Sequence, residues 1–324
     1  MSTAAKPGLV SIIVASYNHA TFLTQRMESL IHQTYQDIEI LVIDDCSTDN
    51  SVEILRKYES HPKVKLLVRE QNGGWVTVSN QGVEMSAGEF VIFANCDDDC
   101  DPRMIERLVI AMQTSPSAGI AFCRSLMIDE NNKVLGDDYA AREGSFKVRC
   151  ANDTLLTGKE MSRFLLHSCV IPNLSAALIR RECFTRVGKL SSEYRVCCDW
   201  DLFFRIVTIY DVAYIAEPLN KFRQHSMTIR SSTKGRVMYA EFFSLLLSQL
   251  SLLRLSFYER CKLRVRVMDL WLRHALSAPL SGFLNFKYHC KLIFRLDSIA
   301  ILFLPIALVL IVISGFKKVF KDFI

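Results

Sequence analysis

Between Leu9 and Gln113, short apolar runs alternate four times with helical patterns, and this alternation constrains the fold more than any other feature of the chain. Leu9 to Ala15 (LVSIIVA) predicts a buried, β-branched strand, and a helical pattern follows from Thr21 to Gln33. Ile38 to Ile43 (IEILVI) predicts a second strand, ended by Asp44-Asp45, with Ser47 and Asp49 able to cap a helix from near Asn50 to Glu59. Val64 to Val68 is a third strand, Asn72-Gly73-Gly74 a break, and Val76 to Met85 a helix. Glu89 to Phe93 (EFVIF) is a fourth strand that runs into an acidic cluster, and Pro102 is placed to open the next helix. Sequential βα units of this kind give an α/β fold, a mostly parallel sheet flanked by helices. Ligands of open α/β sheets bind at the carboxyl ends of the strands. The polar residues after the strands (Ser16, Tyr17, Asn18; Asp44, Asp45; Asn95, Asp97, Asp98) therefore converge on one edge.

Beyond that unit, residues 120–147 read as short strands and turns, with Asn131-Asn132 as a hairpin turn. Ser162 to Ser168 and Trp200 to Tyr210 read as helices, and Leu174 to Ile179, Ala213 to Ile215 and Asn220 to Arg223 as strands. After Thr233 the chain becomes helix-rich, aromatic and basic. Half of its 324 residues are hydrophobic and 23% are charged, which excludes a disordered chain. The net charge is +5, with Lys and Arg thickening after Arg254 and the acidic clusters lying before Asp211. A nucleic-acid partner is not expected of acidic clefts, and a basic, aromatic C-terminal stretch suits an anionic membrane surface. The 11 cysteines contain no C-x-x-C pair, so free thiols in a reducing cytoplasm are expected. Met1 to Gly8 is polar, and the apolar run behind it is too short for a signal peptide.

The cluster Asn95-Cys96-Asp97-Asp98-Asp99 has the chemistry of a hard-cation site. Mg²⁺ or Mn²⁺ takes carboxylate oxygens and needs only one or two from the protein when phosphate and water supply the rest. Such an ion stabilises the negative charge of a departing diphosphate. The competing reading is a helix cap, and it fits Asp101 and Asp99, next to the helix that Pro102 opens, better than it fits Asp97. Three consecutive carboxylates repel one another unless a cation is present, which favours a metal.

The segments VSIIVASYNHATFLTQRMESLIHQTYQDIEILVIDDCSTDNSVEIL and GEFVIFANCDDDCDP resemble family 2 glycosyltransferases of the GT-A fold, over roughly residues 8–230. That resemblance implies an inverting, nucleotide-sugar-dependent, metal-assisted transferase. Ala15 and Tyr17 resemble positions lining the nucleobase pocket, Asp45 the carboxylate that accepts the base N–H, and Asp44 a support for its loop or the ribose. The spacing to Pro102 aligns Asn95-Cys96-Asp97-Asp98 with the family's D-x-D-D, so Asp97 takes the metal-binding place, with Asn95 and Asp98 on the donor side. A register shifted by one residue keeps Asp97 in the motif. Asp199, opening a helix in Asp199-Trp200-Asp201-Leu202, resembles the general base, its alternative being an N-cap. Asp201 reads as a cap or a partner of Arg205, and Trp200 as a sugar platform or core. His225 resembles a histidine after the last core strand that binds metal or phosphate. The chain departs from the family at Ser79, which stands where an Arg approaches the diphosphate; Arg223 and Arg230 are candidate substitutes.

Ser298 to Gly315 is eighteen residues without a charge, interrupted by Pro305 and flanked by basic residues on both sides. The expected organisation is a GT-A catalytic domain over 1–232 and a helical, hydrophobic C-terminal region over 233–324 with a membrane segment at 298–315. The alternative for that segment is a buried helix in a bundle or dimer. The expected activity is transfer of a sugar from a UDP-sugar to a glycan or lipid-linked acceptor in cell-surface polysaccharide synthesis, at the cytoplasmic face of a bacterial inner membrane. The competing class is a catalytically weak or inactive scaffold that binds nucleotide or glycan, motivated by Asn95 and Ser79.

Overall fold

Strands that are apolar on both faces need cover on both sides, and the helices between them supply it. The computed structural model describes residues 5–138, 144–225, 233, 235–277 and 279–321, without the side chains of 277–285 and 314–321. Strand β1 (Lys6–Ser16) pairs in parallel with β2 (Ile38–Asp44) on one side and with β4 (Gly88–Phe93) on the other, and β3 (Val64–Val68) lies outside β2. Helices α1 (Ala20–Ile31), α2 (Ser51–Arg56) and α3 (Trp75–Met85) make the crossovers. Val10, Ile12 and Val14 of β1 and Ile40 and Val42 of β2 join Leu23, Met27 and Leu30 of α1 in one buried cluster. Each such side chain contributes about 1.5–3 kcal/mol on burial, so the register of these strands is strongly specified.

The remaining elements are β5 (Asp99–Cys100), α4 (Met104–Thr114), β6 (Ala118–Ile128), β7 (Val134–Asp137), α5 (Gly144–Arg149), β8 (Thr154–Leu156), α6 (Gly158–His167), β9 (Ala177–Arg180), α7 (Glu182–Val187), α8 (Cys198–Val207) and β10 (Asp211–Arg223). The sheet order is β3-β2-β1-β4-β9-β6-β10-β5, with β7 on β6 and β8 on β10. β9 runs antiparallel between β4 and β6, and β5, β7 and β8 also pair antiparallel. The sheet is therefore mixed, where the sequence pattern predicts a mostly parallel one. Strict alternation ends at α4, and strands beyond it are free to enter in either direction. The two closing strands expected at 213–215 and 220–223 are one irregular strand, whose register shifts on either side of Pro218.

The chain forms two compact units, Met1–Glu193 with Cys198–Thr228, and Tyr194–Cys197 with Ile229–Ile324. The second unit contains α9 (Gly235–Leu252), α10 (Phe257–Ser277), α11 (Pro279–Leu296), a 3₁₀ turn (Ser298–Phe303) and α12 (Leu304–Lys321). Within it, the Glu241 carboxylate accepts the backbone N–H groups of Arg195, Val196 and Cys197. Trp271 stacks on Phe286 with ring centroids 4.6 Å apart.

Candidate active site

The chain leaves β1 for β2 on one side, while the sheet continues to β4 on the other, so the carboxyl ends of β1 and β4 flank the point where strand order reverses. Two loops interlock there. After β1, Asn18 adopts a left-handed backbone (φ +54°) and its Oδ1 accepts from the Thr48 N–H at 2.8 Å. In return, Ser47 Oγ accepts from the Asn18 N–H at 2.9 Å, Ser51 Oγ from His19 at 3.1 Å, and Asp49 Oδ2 from Ala20 at 3.1 Å. The polar run Ser47-Thr48-Asp49 thus caps the neighbouring turn as well as its own.

Asp44 is fully buried and accepts from the Ser47 N–H at 2.8 Å and the Ser47 hydroxyl at 2.7 Å. Of the two supports expected of Asp44, loop or ribose, these bonds are the loop-forming one. Asp45, 2% exposed, accepts from Arg69 Nη1 at 2.6 Å and from the N–H groups of Gly73 and Gly74 at 2.9 and 2.7 Å. Those glycine N–H groups are therefore engaged by Asp45. Arg69 was not apparent as a site residue from the sequence; its position directly after β3, on the same carboxyl edge, is the signal that points to it. Ala15 is half-buried near the end of β1, and the Tyr17 ring is open to solvent, 44% exposed.

In the acidic loop each carboxylate has its own environment. Asp97 Oδ2 lies 2.8 Å from His225 Nε2; the Asp97 side chain is 15% exposed and that of His225 is fully buried. Burial opposes ionisation of Asp97, but the His225 hydrogen bond and the charges of His19 and His225 outweigh it and hold the carboxyl below its ordinary value. The same hydrogen bond raises His225 above the ordinary imidazole value against the effect of burial. Asp98 turns inward, 1% exposed, accepting from Asn173 Nδ2 at 2.9 Å, the Arg223 N–H at 3.0 Å and Asn95 Nδ2 at 3.2 Å. That burial corrects the expected donor contact and, with the adjacent Asp97 charge, pushes the Asp98 carboxyl pKa up. Asn95 is half-buried, its N–H donating to Ser175 Oγ at 2.9 Å. Asp99 pairs with Lys221 Nζ at 2.8 Å across β5 and β10, so it does not cap the following helix. Nor does Asp101: it accepts from the Arg103 N–H at 2.9 Å in the turn ahead of α4, which starts at Met104 without a side-chain cap, so Pro102 lies before the helix it was expected to open. Beneath the loop, Arg26 of α1 is fully buried, with Nε and Nη2 free of hydrogen-bond partners among the described residues. Its charge works against the rise at Asp98. The protein thus supplies His225, Arg26 and Lys221 against the repulsion that, in the sequence, argued for a metal.

The Asp97–His225 pair carries a pH signature in the metal-free protein. A lowered carboxyl stabilises the fold above its unfolded value, and that gain is lost as pH falls through the lowered value. A raised imidazole stabilises below about pH 6.5 and loses its effect as pH rises through the raised value. His225→Gln is therefore expected to lower the melting temperature most between about pH 4 and 6.5, and least above pH 8, in thermal melts with chelator.

Arg223 is buried and donates to the carbonyls of Asp97 and Asp129, so it is a strut of the acidic loop and is not available to a diphosphate. Arg230 lies outside the described residues. Ser79 is 2% exposed on α3. Asp199 is half-buried in the first turn of α8, its carboxylate accepting from the Trp200 N–H at 2.7 Å. Trp200 is core, stacked on Phe204, and Asp201 pairs with Arg205 at 2.8 Å.

One residue missing from the sequence reading stands beside Asp97. His19, Asp97 and His225 each offer a ligand atom, and these atoms all lie within 4.8 Å of one another. Two imidazoles and a carboxylate are a donor set that fits a divalent ion. His19 sits in the SYNHA segment just past β1, and only the convergence of strand ends could have drawn attention to it.

Residues 11–188 match the pattern of glycosyl transferase family 2. The chain belongs to that family. An uncharacterised glycosyltransferase from Nostoc sp. is 28% identical over 219 residues, 67% of this chain and 65% of the relative. Glycosyltransferase GlyG of Streptococcus pneumoniae is 33% identical over 141 residues, 42% of this chain and 46% of GlyG. The aligned part of this transferase thus spans between about half and two thirds of those relatives. Among solved structures, S. aureus TarS in complex with UDP-GlcNAc superposes with a TM-score of 0.67 at 16% identity, covering 92% of this chain and 82% of that one. The mannosyltransferase PcManGT of Pyrobaculum calidifontis, in complex with GDP-Man and Mn²⁺, gives 0.51 at 15% identity, covering 93% and 86%. At these identities the likeness establishes the shared fold of the transferase.

Proposed function

We propose that the chain transfers a sugar, with inversion, from a nucleoside diphosphate sugar, a UDP-sugar first among them, to a hydroxyl of a glycan acceptor. The observation that carries this reading is the Asp97 carboxylate held between His225 and His19 at the strand-order switch point, next to the open Tyr17 ring. A divalent ion there supplies Lewis-acid stabilisation of the departing diphosphate. Tyr17 stacks on the base beside Ala15, the Asp45–Arg69 pair forms the polar edge of that pocket, and Asn95 meets the ribose or diphosphate. Asp199 takes the acceptor proton, and its place in the first turn of α8 favours negative charge. Purified full-length protein incubated with a panel of UDP- and GDP-sugars is expected to hydrolyse one donor in a metal-dependent way. Asp199→Asn is expected to lower transfer on the order of 10²–10⁴-fold with donor affinity unchanged. Near-normal transfer by that variant removes Asp199 from the mechanism.

A second reading, a weak or inactive scaffold, is favoured by the uncharged Ser79 and by the commitment of Arg223 to the acidic loop. Donor hydrolysis with Mn²⁺ by the purified protein excludes a scaffold without turnover.

The acceptor side of the proposal is a lipid-linked glycan of the cell surface, met at the cytoplasmic face of a bacterial inner membrane. No single helix among the described residues is long and apolar enough to cross a bilayer; Phe286–Leu296 and Ser298–Ile313 reach that length and composition only as a pair, with a bend of 119° between them. Arg264 Nε donates to Asp297 at that bend at 2.6 Å, pinning it to α10. Leu302, Ile306, Val309 and Val312 are between 50% and 75% exposed, and apolar surface of this extent calls for cover. Lys287, Lys291 and Arg295 nearby suit anionic headgroups. These features support a bent segment lying in the interface in preference to one straight span. The full chain is expected to sediment with vesicles containing anionic lipid, and Leu302→Glu with Val309→Glu to weaken that binding on the order of tenfold or more. Unchanged sedimentation of the double variant would place the attachment elsewhere.

A further inference from the structure

We infer that His19 is a metal-binding residue of this transferase, and that with His225 and Asp97 it makes the site selective for transition-metal ions over Mg²⁺ and Ca²⁺. The inference rests on the proposed metal site and assigns it a third protein ligand and a preference.

The geometry of His19 carries it. Its Nδ1 lies 2.7 Å from the Tyr17 carbonyl oxygen. A carbonyl only accepts, so Nδ1 carries the proton and Nε2 is left with its lone pair. A ligating histidine characteristically donates its other ring N–H to a backbone carbonyl, which fixes both the tautomer and the ring. The backbone beneath the ring is held as firmly: the N–H groups of Asn18, His19 and Ala20 are taken by Ser47, Ser51 and Asp49. The ring itself stands edge-on to His225, with centroids 6.2 Å apart, and its ligand atom is within 4.8 Å of those of Asp97 and His225. His225 has its Nδ1 without a partner among the described residues, and its buried ring is packed against Phe22 at 5.2 Å. Both imidazoles are thus oriented before any ion arrives.

Two imidazoles change which ion suits the site. Mg²⁺ and Ca²⁺ take oxygen ligands, whereas imidazole suits the transition-metal ions. Affinity is then expected to rise from Mn²⁺ to Co²⁺ in the usual divalent order, with Mg²⁺ weakest. One carboxylate alone would not discriminate in this way.

The test is metal binding by the full-length protein without donor. Loss of the free Mn²⁺ signal in an EPR titration gives the dissociation constant, and pulsed EPR counts directly bound nitrogens. Wild type is expected to bind Mn²⁺ through two nitrogens and to resist competition by Mg²⁺. His19→Ala is expected to retain one nitrogen, weaken Mn²⁺ about 10–100-fold and lose most of the preference over Mg²⁺, with its melting temperature kept. Asp97→Ala is the control for the site itself. Wild-type affinity and two bound nitrogens in His19→Ala, with binding lost in Asp97→Ala, would overturn the role of His19 and leave the proposed function standing. Failure of the wild type to bind Mn²⁺ at all would overturn the metal assignment together with this inference.

Discussion

Replacing Asp97 with asparagine is expected to lower metal-dependent sugar transfer on the order of 10³-fold or more. The amide matches the carboxylate in shape and can still meet His225, so the loop keeps its form, but the one negative charge turned toward His19 and His225 is gone. Asp98 cannot replace it. Its oxygens face inward to Asn173, Asn95 and the Arg223 N–H, and burial together with the Asp97 charge disfavours its ionisation. Initial rates at saturating Mn²⁺ with the best donor measure the effect. A loss of less than tenfold would mean that Asp97 does not hold the ion. The melting temperature is expected to fall only modestly, by the value of one partly buried ion pair.

Arg223→Met is expected to have the largest effect on stability. Arg223 is 1% exposed, and its guanidinium donates to the Asp97 and Asp129 carbonyls at 2.6 Å each, to Asn132 Oδ1 at 2.7 Å and to Gln25 Oε1 at 3.2 Å. It also lies over the Phe22 ring, 4.8 Å from its centroid. Methionine fills the volume but leaves two part-buried main-chain carbonyls without these donors. Breaking a buried charged network of this kind costs about 3–5 kcal/mol. Urea denaturation is the measurement, with transfer expected to fall in parallel as the acidic loop loosens. Arg223→Lys is expected to recover little of the loss, because one ammonium cannot span the points that the planar fork reaches. Wild-type stability in the lysine variant would show that charge alone suffices there.

The first half of the fold was legible because its signals are local. A β-branched run, a cap, a helical period and a strand-end carboxylate all fall within a few residues, and β1 to α4 follow them closely. The rest depended on partners far away in sequence. Asp99 reads as a cap from its neighbours, but Lys221, 122 residues on, draws it into a two-residue strand. Leu174 to Ala176 is apolar enough to read as strand, yet Asn173 closes a 3₁₀ turn there and the strand begins at Ala177. Pro218 suggests a break, but β10 absorbs it as a register shift. At the site, Asp97 and His225 were accessible through motif and chain order. Arg69, Arg26 and His19 were not, because each acquires its meaning only from side chains on other elements.

The interlocking of the turn after β1 with the run Ser47 to Ser51 has a consequence for how this scaffold can vary. Four hydrogen bonds fix the spacing of two segments about thirty residues apart, so neither can gain or lose a residue alone without swinging His19 out of position. A chimera that imports one turn from a relative must import the other with it.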